Sequence, residues 1–323
     1  MNRFEVSRAS SVADARRLIA DRPGSVLKAG GIDVLDHLKE HLLEPPRLVD
    51  LKTVSGLDKI VVGSEGALRI GPLVTLAQIA GHAGIRATHR ALAEACGEAA
   101  SPQIRNVATI GGNILQRPRC WYYRLESYKC LKKGGDVCFA TGGENRYHVI
   151  FGGGPSYAPH PSNAAVALVA LQAALVLEGS QGRRVVQASE FFTLPSVDAQ
   201  KENALAPGEV IVEIQVPAAA GRRSTYQDLR ERAAFDWPLV SLAAAIKLQK
   251  GAVAEARIVL GAVAPIPWRS LKAEAVLTGR PLAGDTVAEA AAAAVAGAEP
   301  MSDNGYKVGL VETLVRRTLL SLA

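Results

Sequence analysis

Aromatic residues are scarce in this chain of 323 residues: Phe, Trp and Tyr together make 5% of it, and methionine occurs twice. Long apolar runs are missing too. The longest, Ala164 to Leu177, is broken by Gln172 and falls short of the roughly 20 residues that a membrane-spanning helix needs. The opening residues, MNRFEVSRASSVADARR, hold no apolar signal core, so self-directed export is not expected. No basic run and no basic stripe interleaved with aromatics is present, which argues against a nucleic-acid face; the net charge of +6 is a mild excess. G-x-G-x-x-G is absent, so a doubly wound nicotinamide site has no support. Neither H-E-x-x-H nor a Ser/His/Asp set shows, and no repeat of solenoid period. Four cysteines in a chain this long make a disulfide framework improbable.

What is present is an ordinary globular composition, 48% hydrophobic and 21% charged, enough for one large domain or two or three small ones. Ser11 opens an expected helix, closed by Pro23-Gly24. SVLKA reads as a strand, IDVLDHLKEHL as a helix and RLVDLKTV as a strand. Around KIVVGSEGALRIGPL a hairpin turns at Glu65-Gly66. TLAQIAGHAGI and HRALAEACGEAA read as helices. AAVALVALQAALVLEG runs from helix to strand, GRRVVQA returns, and VIVEIQV alternates as a strand. Beyond residue 217, RIVLGAVAPIPWR reads as a strand, residues 275–300 as one helix capped by Asp285 or Thr286, and GYKVGLVETLVRRTLLSLA as an amphipathic terminal helix. Residues 116–163 show almost no periodicity, and a loop that long is normally functional or disordered.

Three motifs bear chemistry. Lys28-Ala29-Gly30-Gly31 follows a strand and precedes a helix, where bare backbone N–H groups and a helix N-terminus favour a phosphate. Ala108-Thr109-Ile110-Gly111-Gly112-Asn113 is a second such loop, and a dinucleotide has two phosphates to hold. Each alone is more often a tight turn. The third motif is C-x9-C-x7-C: Cys120, Cys130 and Cys138, soft ligands for zinc or an iron–sulfur cluster, at a spacing no zinc finger uses. Arg117, Arg119, Arg124, Lys129, Lys132 and Lys133, set against Glu126 and Asp136, would offset a cluster's negative charge or simply solvate the loop. Cys96 reads as a small core residue, and His82, His89, His148 and His160 as structural.

Taken together these residues resemble the FAD-binding subunit of the xanthine dehydrogenase and aldehyde oxidoreductase family of molybdenum hydroxylases. The likeness rests on KAGG with Ile32-Asp33-Val34-Leu35, on Arg69-Ile70-Gly71-Pro72-Leu73, on SPQIRNVATIGGN, on HPSN at 160–163, on LAPGEVIVEIQVP, and on YQDLRERAAFDWPLVSLAAAI with VLGAVAPIPWR. It covers nearly the whole chain. It implies an α+β fold: a two-lobed vanillyl-alcohol-oxidase (PCMH)-type FAD-binding domain over 1–219, with lobes of about 1–55 and 56–219 and a Cys-rich insertion at about 116–158. A small α+β domain of the CO dehydrogenase flavoprotein type follows over 220–323.

By the same resemblance Lys28, Ala29, Gly30, Gly31, Ile32, Asp33, Val34 and Leu35, with Thr109, Ile110, Gly111, Gly112 and Asn113, bind FAD at its pyrophosphate. Asn106 and the backbone near Ile70 and Leu73 lie beside the cofactor, and Asn163 stands where the family often has Asp. The long loop resembles the insertion of 4-hydroxybenzoyl-CoA reductase and periplasmic aldehyde oxidoreductase flavin subunits, which carries a [4Fe-4S] cluster on four cysteines. Cys120, Cys130 and Cys138 match three; Ser156 holds the fourth place. Ser156 oxygen or His148 could complete the set, the cluster could hold three irons, or the site could be degraded. The implied partners are a small [2Fe-2S] subunit and a large molybdopterin subunit, with dioxygen, NAD, a quinone or a ferredoxin as external acceptor. Substrate chemistry then lies outside this chain, which contributes no catalytic residue. A cytoplasmic protein is expected, or a periplasmic one exported with a signal-bearing partner. A self-sufficient flavoprotein oxidase and a non-catalytic scaffold with a zinc loop are the alternatives.

Overall fold

The structure is a computed structural model describing residues 1–323. Ser11 starts the first helix: its hydroxyl accepts the Asp14 N–H at 3.0 Å. Around it, strands β1 (Glu5–Arg8), β2 (Val26–Lys28) and β3 (Arg47–Asp50) alternate with helices α1 (Val12–Asp21) and α2 (Ile32–Lys39). The strands form a sheet in the order β1-β3-β2, all parallel. Parallel neighbours need crossovers, and α1 and α2 supply them. Ala9, Ala15 and Val49 of this layer share a core with Val176, Val210 and Val212 of the next sheet.

That second sheet is antiparallel. Its hairpin β4 (Ile60–Val62) and β5 (Leu68–Ile70) turns through Gly66 at φ +84°. Short helices follow: α3 (Leu76–Gly81), α4 (Ala83–Thr88), α5 (Arg90–Gly97), α6 (Pro102–Arg105), α7 (Ile110–Ile114) and α8 (Trp121–Arg124). Next come α9 (Asn163–Ala170), β6 (Ala174–Gly179), β7 (Gly182–Gln187), α10 (Ala188–Phe191) and β8 (Val210–Val216), giving the order β4-β5-β8-β6-β7. All eight residues of α9 are buried, which is why that stretch reads as apolar without a face. Between α8 and α9 the aperiodic segment holds only two short 3-10 turns, at Leu131–Lys133 and Phe139–Thr141.

The last sheet, β12-β11-β10-β9, is also antiparallel: β9 (Arg223–Leu229), β10 (Val240–Gln249), β11 (Ala252–Gly261) and β12 (Trp268–Arg269). Helices α5 and α9 pack against it, as do α11 (Leu271–Leu277) and α13 (Tyr306–Leu320), with α12 (Gly284–Ala294) between these two. The single helix expected over 275–300 is therefore two. Gly279, at φ +80°, and Pro281 break it. Ala283, with no side-chain bond, caps the second piece; Asp285 and Thr286 lie inside it. No helix is long and apolar enough to cross a membrane.

Candidate functional site

A cavity of about 810 Å3 lies where the three sheets' connections converge. That size is within the range of small-molecule and cofactor sites, roughly 300–1,000 Å3. One wall is the turn from β2 into α2: Ala29, Gly30, Gly31, Ile32, Asp33 and Val34 all line it. Gly31, at φ +90°, is the N-cap of α2 and offers no side-chain bond. The N–H groups of Ile32, Asp33 and Val34 consequently have no acceptor in the protein. Bare donors at the positive end of a helix suit an anion.

The second glycine loop meets the first directly. A Cβ at Gly30 would stand 2.3 Å from the Val107 carbonyl oxygen, and one at Gly111 would stand 2.8 Å from Pro72 Cβ. The two Gly-Gly turns thus form one surface. Thr109, Gly111, Gly112, Asn113 and, across the cavity, Asn163 line it. In contrast to the first loop, this one does not bare its backbone. Ile110 N–H donates to Val74 O, Gly111 N–H to Pro72 O and Gly112 N–H to Thr109 Oγ1. What it presents instead is the Asn113 side chain. Ser162 donates to Asn113 Oδ1 at 2.6 Å while accepting the Ala165 N–H, leaving the amide Nδ2 as a free donor. Four expected residues do not line the cavity. Lys28 pairs with Asp50 at 3.1 Å, Ile110 is in the core, Asn106 faces solvent at the end of α6, and Leu35 is half-exposed on the outside of α2. Leu73 lines it and Ile70 is buried behind.

The aperiodic segment is welded to this wall. Asp33 Oδ1 accepts from Arg119 Nη2 and Arg124 Nη2, both at 2.9 Å, and Oδ2 from the Arg117 N–H at 2.9 Å. Asp36 takes Arg124 Nη1 at 2.7 Å and Arg119 Nη1 at 3.2 Å. Burial works to raise the Asp33 carboxyl; the Arg119 guanidinium and the Arg117 N–H outweigh it and hold it below the usual range. Arg117 and Lys132 instead hold Glu202. These cations, expected around the thiols, are therefore spent on carboxylates, and only Lys129 and Lys133 lie on the outer surface of the loop. Tyr123 donates to His37 Nε2 at 3.2 Å, because His37 Nδ1 gives its proton to the Asp33 carbonyl at 2.9 Å.

Cys120, Cys130, Cys138 and Ser156 face one small enclosed space, walled also by Tyr122, Tyr123, Phe139 and Lys132. Tyr123 lines both this space and the large cavity. The Cys120 thiol is pushed up to about 11 by burial, with Cys138 and Cys130 adding to it. His148 does not line the space; its Nε2 stands 3.2 Å from Cys120 Sγ, and its buried Nδ1 has no partner. No three His, Cys, Asp or Glu side chains come close enough together to hold a single metal ion. Cys96 is in the core of α5. His82 caps α4, His89 bonds the Pro217 carbonyl and His160 packs against Phe192, all structural as expected.

The far rim is not legible as a site in the sequence. Phe235, Asp236, Trp237 and Pro238, from the β9–β10 connection, line the cavity, and the Arg119 guanidinium lies 4.8 Å from the Trp237 ring centroid. Exposed aromatics on a connection carry no periodicity. Their signal in the sequence is the YQDLRERAAFDWPLVSLAAAI stretch, which contains all four but marks no site by itself.

A family described as "FAD binding domain in molybdopterin dehydrogenase" matches residues 2–219, and one described as "CO dehydrogenase flavoprotein C-terminal domain" matches 224–322. The chain is 35% identical to the aldehyde oxidoreductase FAD-binding subunit PaoB of Escherichia coli (strain K12), covering 100% of this chain and 98% of that one. It is 30% identical to the carbon monoxide dehydrogenase medium chain of Hydrogenophaga pseudoflava, over 98% and 96%. In structure it matches a carbon monoxide dehydrogenase from that organism, lacking the Mo-pyranopterin moiety, with a TM-score of 0.79 at 29% identity over 99% and 97%. Matched over nearly its whole length, the chain belongs to the family of FAD-binding medium subunits of molybdenum hydroxylases.

Proposed function

We propose that the cavity seats FAD with its pyrophosphate against α2, and that the chain is the electron-exit subunit of a molybdenum-dependent dehydrogenase or oxidase. The observation that carries this is the set of unpaired N–H groups at Ile32–Val34 opening on a cavity of cofactor size. Gly30, Gly31, Gly112 and Asn113 let a phosphate approach, with Asn163 opposite. Lys28, Leu35 and Ile110 support the seat from outside its wall. Bound FAD supplies the redox chemistry, taking up electrons and releasing them to an acceptor. The chain's own residues bind and orient it, and Trp237 with Phe235 covers part of the opening.

Partners follow from what is missing. Two [2Fe-2S] clusters take eight ligands, and four cysteines cannot provide them. A small iron–sulfur subunit and a large molybdopterin subunit fill that role, and dioxygen, NAD, a quinone or a ferredoxin takes the electrons. The likeness to PaoB makes an aldehyde the favoured substrate class.

The thiol space is read as an iron–sulfur site on Cys120, Cys130 and Cys138. Ser156 is favoured as fourth ligand, since it shares the space while His148 stands behind Cys120 as an N–H donor to sulfur. One anaerobic preparation tests both parts. Aldehyde is expected to bleach the flavin band only when the partner subunits are present, with about four irons and four sulfides per chain in this subunit. Bleaching by the chain alone would make it a self-sufficient oxidase. Flavin without iron would remove the cluster and leave the flavin reading standing.

A further inference from the structure

Asp33 poses an electrostatic problem for an anion site. It is the second residue of α2, one of the three whose N–H groups are bare, and it lines the cavity. Asp36, one turn on, lines it too. Two carboxylates at this helix end would repel a pyrophosphate and cancel the helix dipole that attracts it. Two guanidiniums answer them. Arg119 and Arg124 each bridge Asp33 and Asp36, in four bonds of 2.7 to 3.2 Å. Both flank Cys120: Arg119 precedes it and Arg124 ends the short helix after it. The Arg124 side chain is 10% exposed and does not line the cavity. It therefore acts on a cavity ligand only through the carboxylates.

Building on the flavin seat described above, we propose that Arg124, with Arg119, is a positioning residue of that seat: the pair neutralises Asp33 and Asp36 so that the end of α2 accepts a dianionic pyrophosphate. The seat is thus completed by the cysteine-bearing segment. Removal of one guanidinium leaves a net negative charge beside the bare N–H groups, in a partly buried place where salt screens it poorly.

The test is FAD titration into the flavin-stripped full chain, followed by flavin fluorescence. Arg124→Gln is expected to raise the Kd for FAD by about tenfold or more, and Arg124→Lys, which keeps the charge, by much less. Adding Asp33→Asn to Arg124→Gln is expected to restore binding to within about threefold of the unaltered chain, because the charge balance returns. A brace that held α2 only mechanically would gain nothing from the second substitution. Wild-type affinity in Arg124→Gln, or a double variant as weak as the single, overturns the proposal. Gly31→Val separates this from the seat itself: it forces a side chain onto a backbone at φ +90° beside Lys28 and Leu35. If it loses FAD while Arg124→Gln does not, only the charge-balance proposal falls; if it binds FAD normally, the seat falls with it.

Discussion

Glycine is required at position 30 by distance, not by backbone angle. A methyl group there would stand 2.3 Å from the Val107 carbonyl oxygen, inside any tolerable contact, so Gly30→Ala must push the two glycine loops apart. Overpacking of this kind costs roughly 1–3 kcal/mol. Gly30→Ala is expected to lower the melting temperature and empty the flavin seat together, measured by calorimetry and by bound flavin. Normal flavin content with lower stability would mean that the loops do not share one ligand. The role of Gly30 was legible in the sequence as a motif but not as a contact, since Val107 is 77 positions away. Asp33 was likewise legible as a motif residue, whereas its pairing with Arg119 and Arg124 was not. Long-range ion pairs leave no local pattern.

At the scale of elements, legibility followed periodicity. α1 and α2, the β4–β5 hairpin and α13 were readable because each keeps one apolar face or a turn glycine in register. β10 was not named as a strand from its pattern. Its VSLAAAI stretch is buried on both faces, so alternation vanishes, and alanines suit a helix equally well. The break between α11 and α12 is the opposite case: Gly279 and Pro281 stand in plain view, but the alanine-rich flanks suit one continuous helix. The segment from 116 to 158 is recognisable in the sequence as unusual, aperiodic and cysteine-bearing. That it also closes the cavity wall, through Arg119 and Arg124, leaves no local pattern in the sequence. Which end of each glycine loop offers free donors was equally hidden, because Val74 and Pro72, the acceptors for the second loop, belong to another turn.

The whole molecule carries an acid sensitivity. His37, His89, His148 and His160 are all buried, and burial lowers each imidazole; for His148 and His160 the value falls from 6.5 to about 4. Between those values the unfolded chain binds protons that the folded chain refuses, so stability is present above pH 6.5 and is lost as the pH falls towards 4. For His160 alone the loss is about 3 kcal/mol, taking roughly 1.4 kcal/mol per pH unit. That is a sizeable share of a typical domain's roughly 5–15 kcal/mol. His160→Gln should therefore flatten the fall in unfolding free energy across this window, measured by denaturant melts at several pH values; an unchanged slope would show that His160 titrates normally. Asp33 and Glu202, whose carboxyls are held low by their cations, add a further loss below about pH 4. If the sheets' connections form one flavin seat, the bound-flavin stoichiometry of the purified full chain shows it. One FAD released per chain on denaturation, with the flavin absorbance lost in Gly31→Val, is the predicted result. A folded, colourless chain that takes up no added FAD would contradict it.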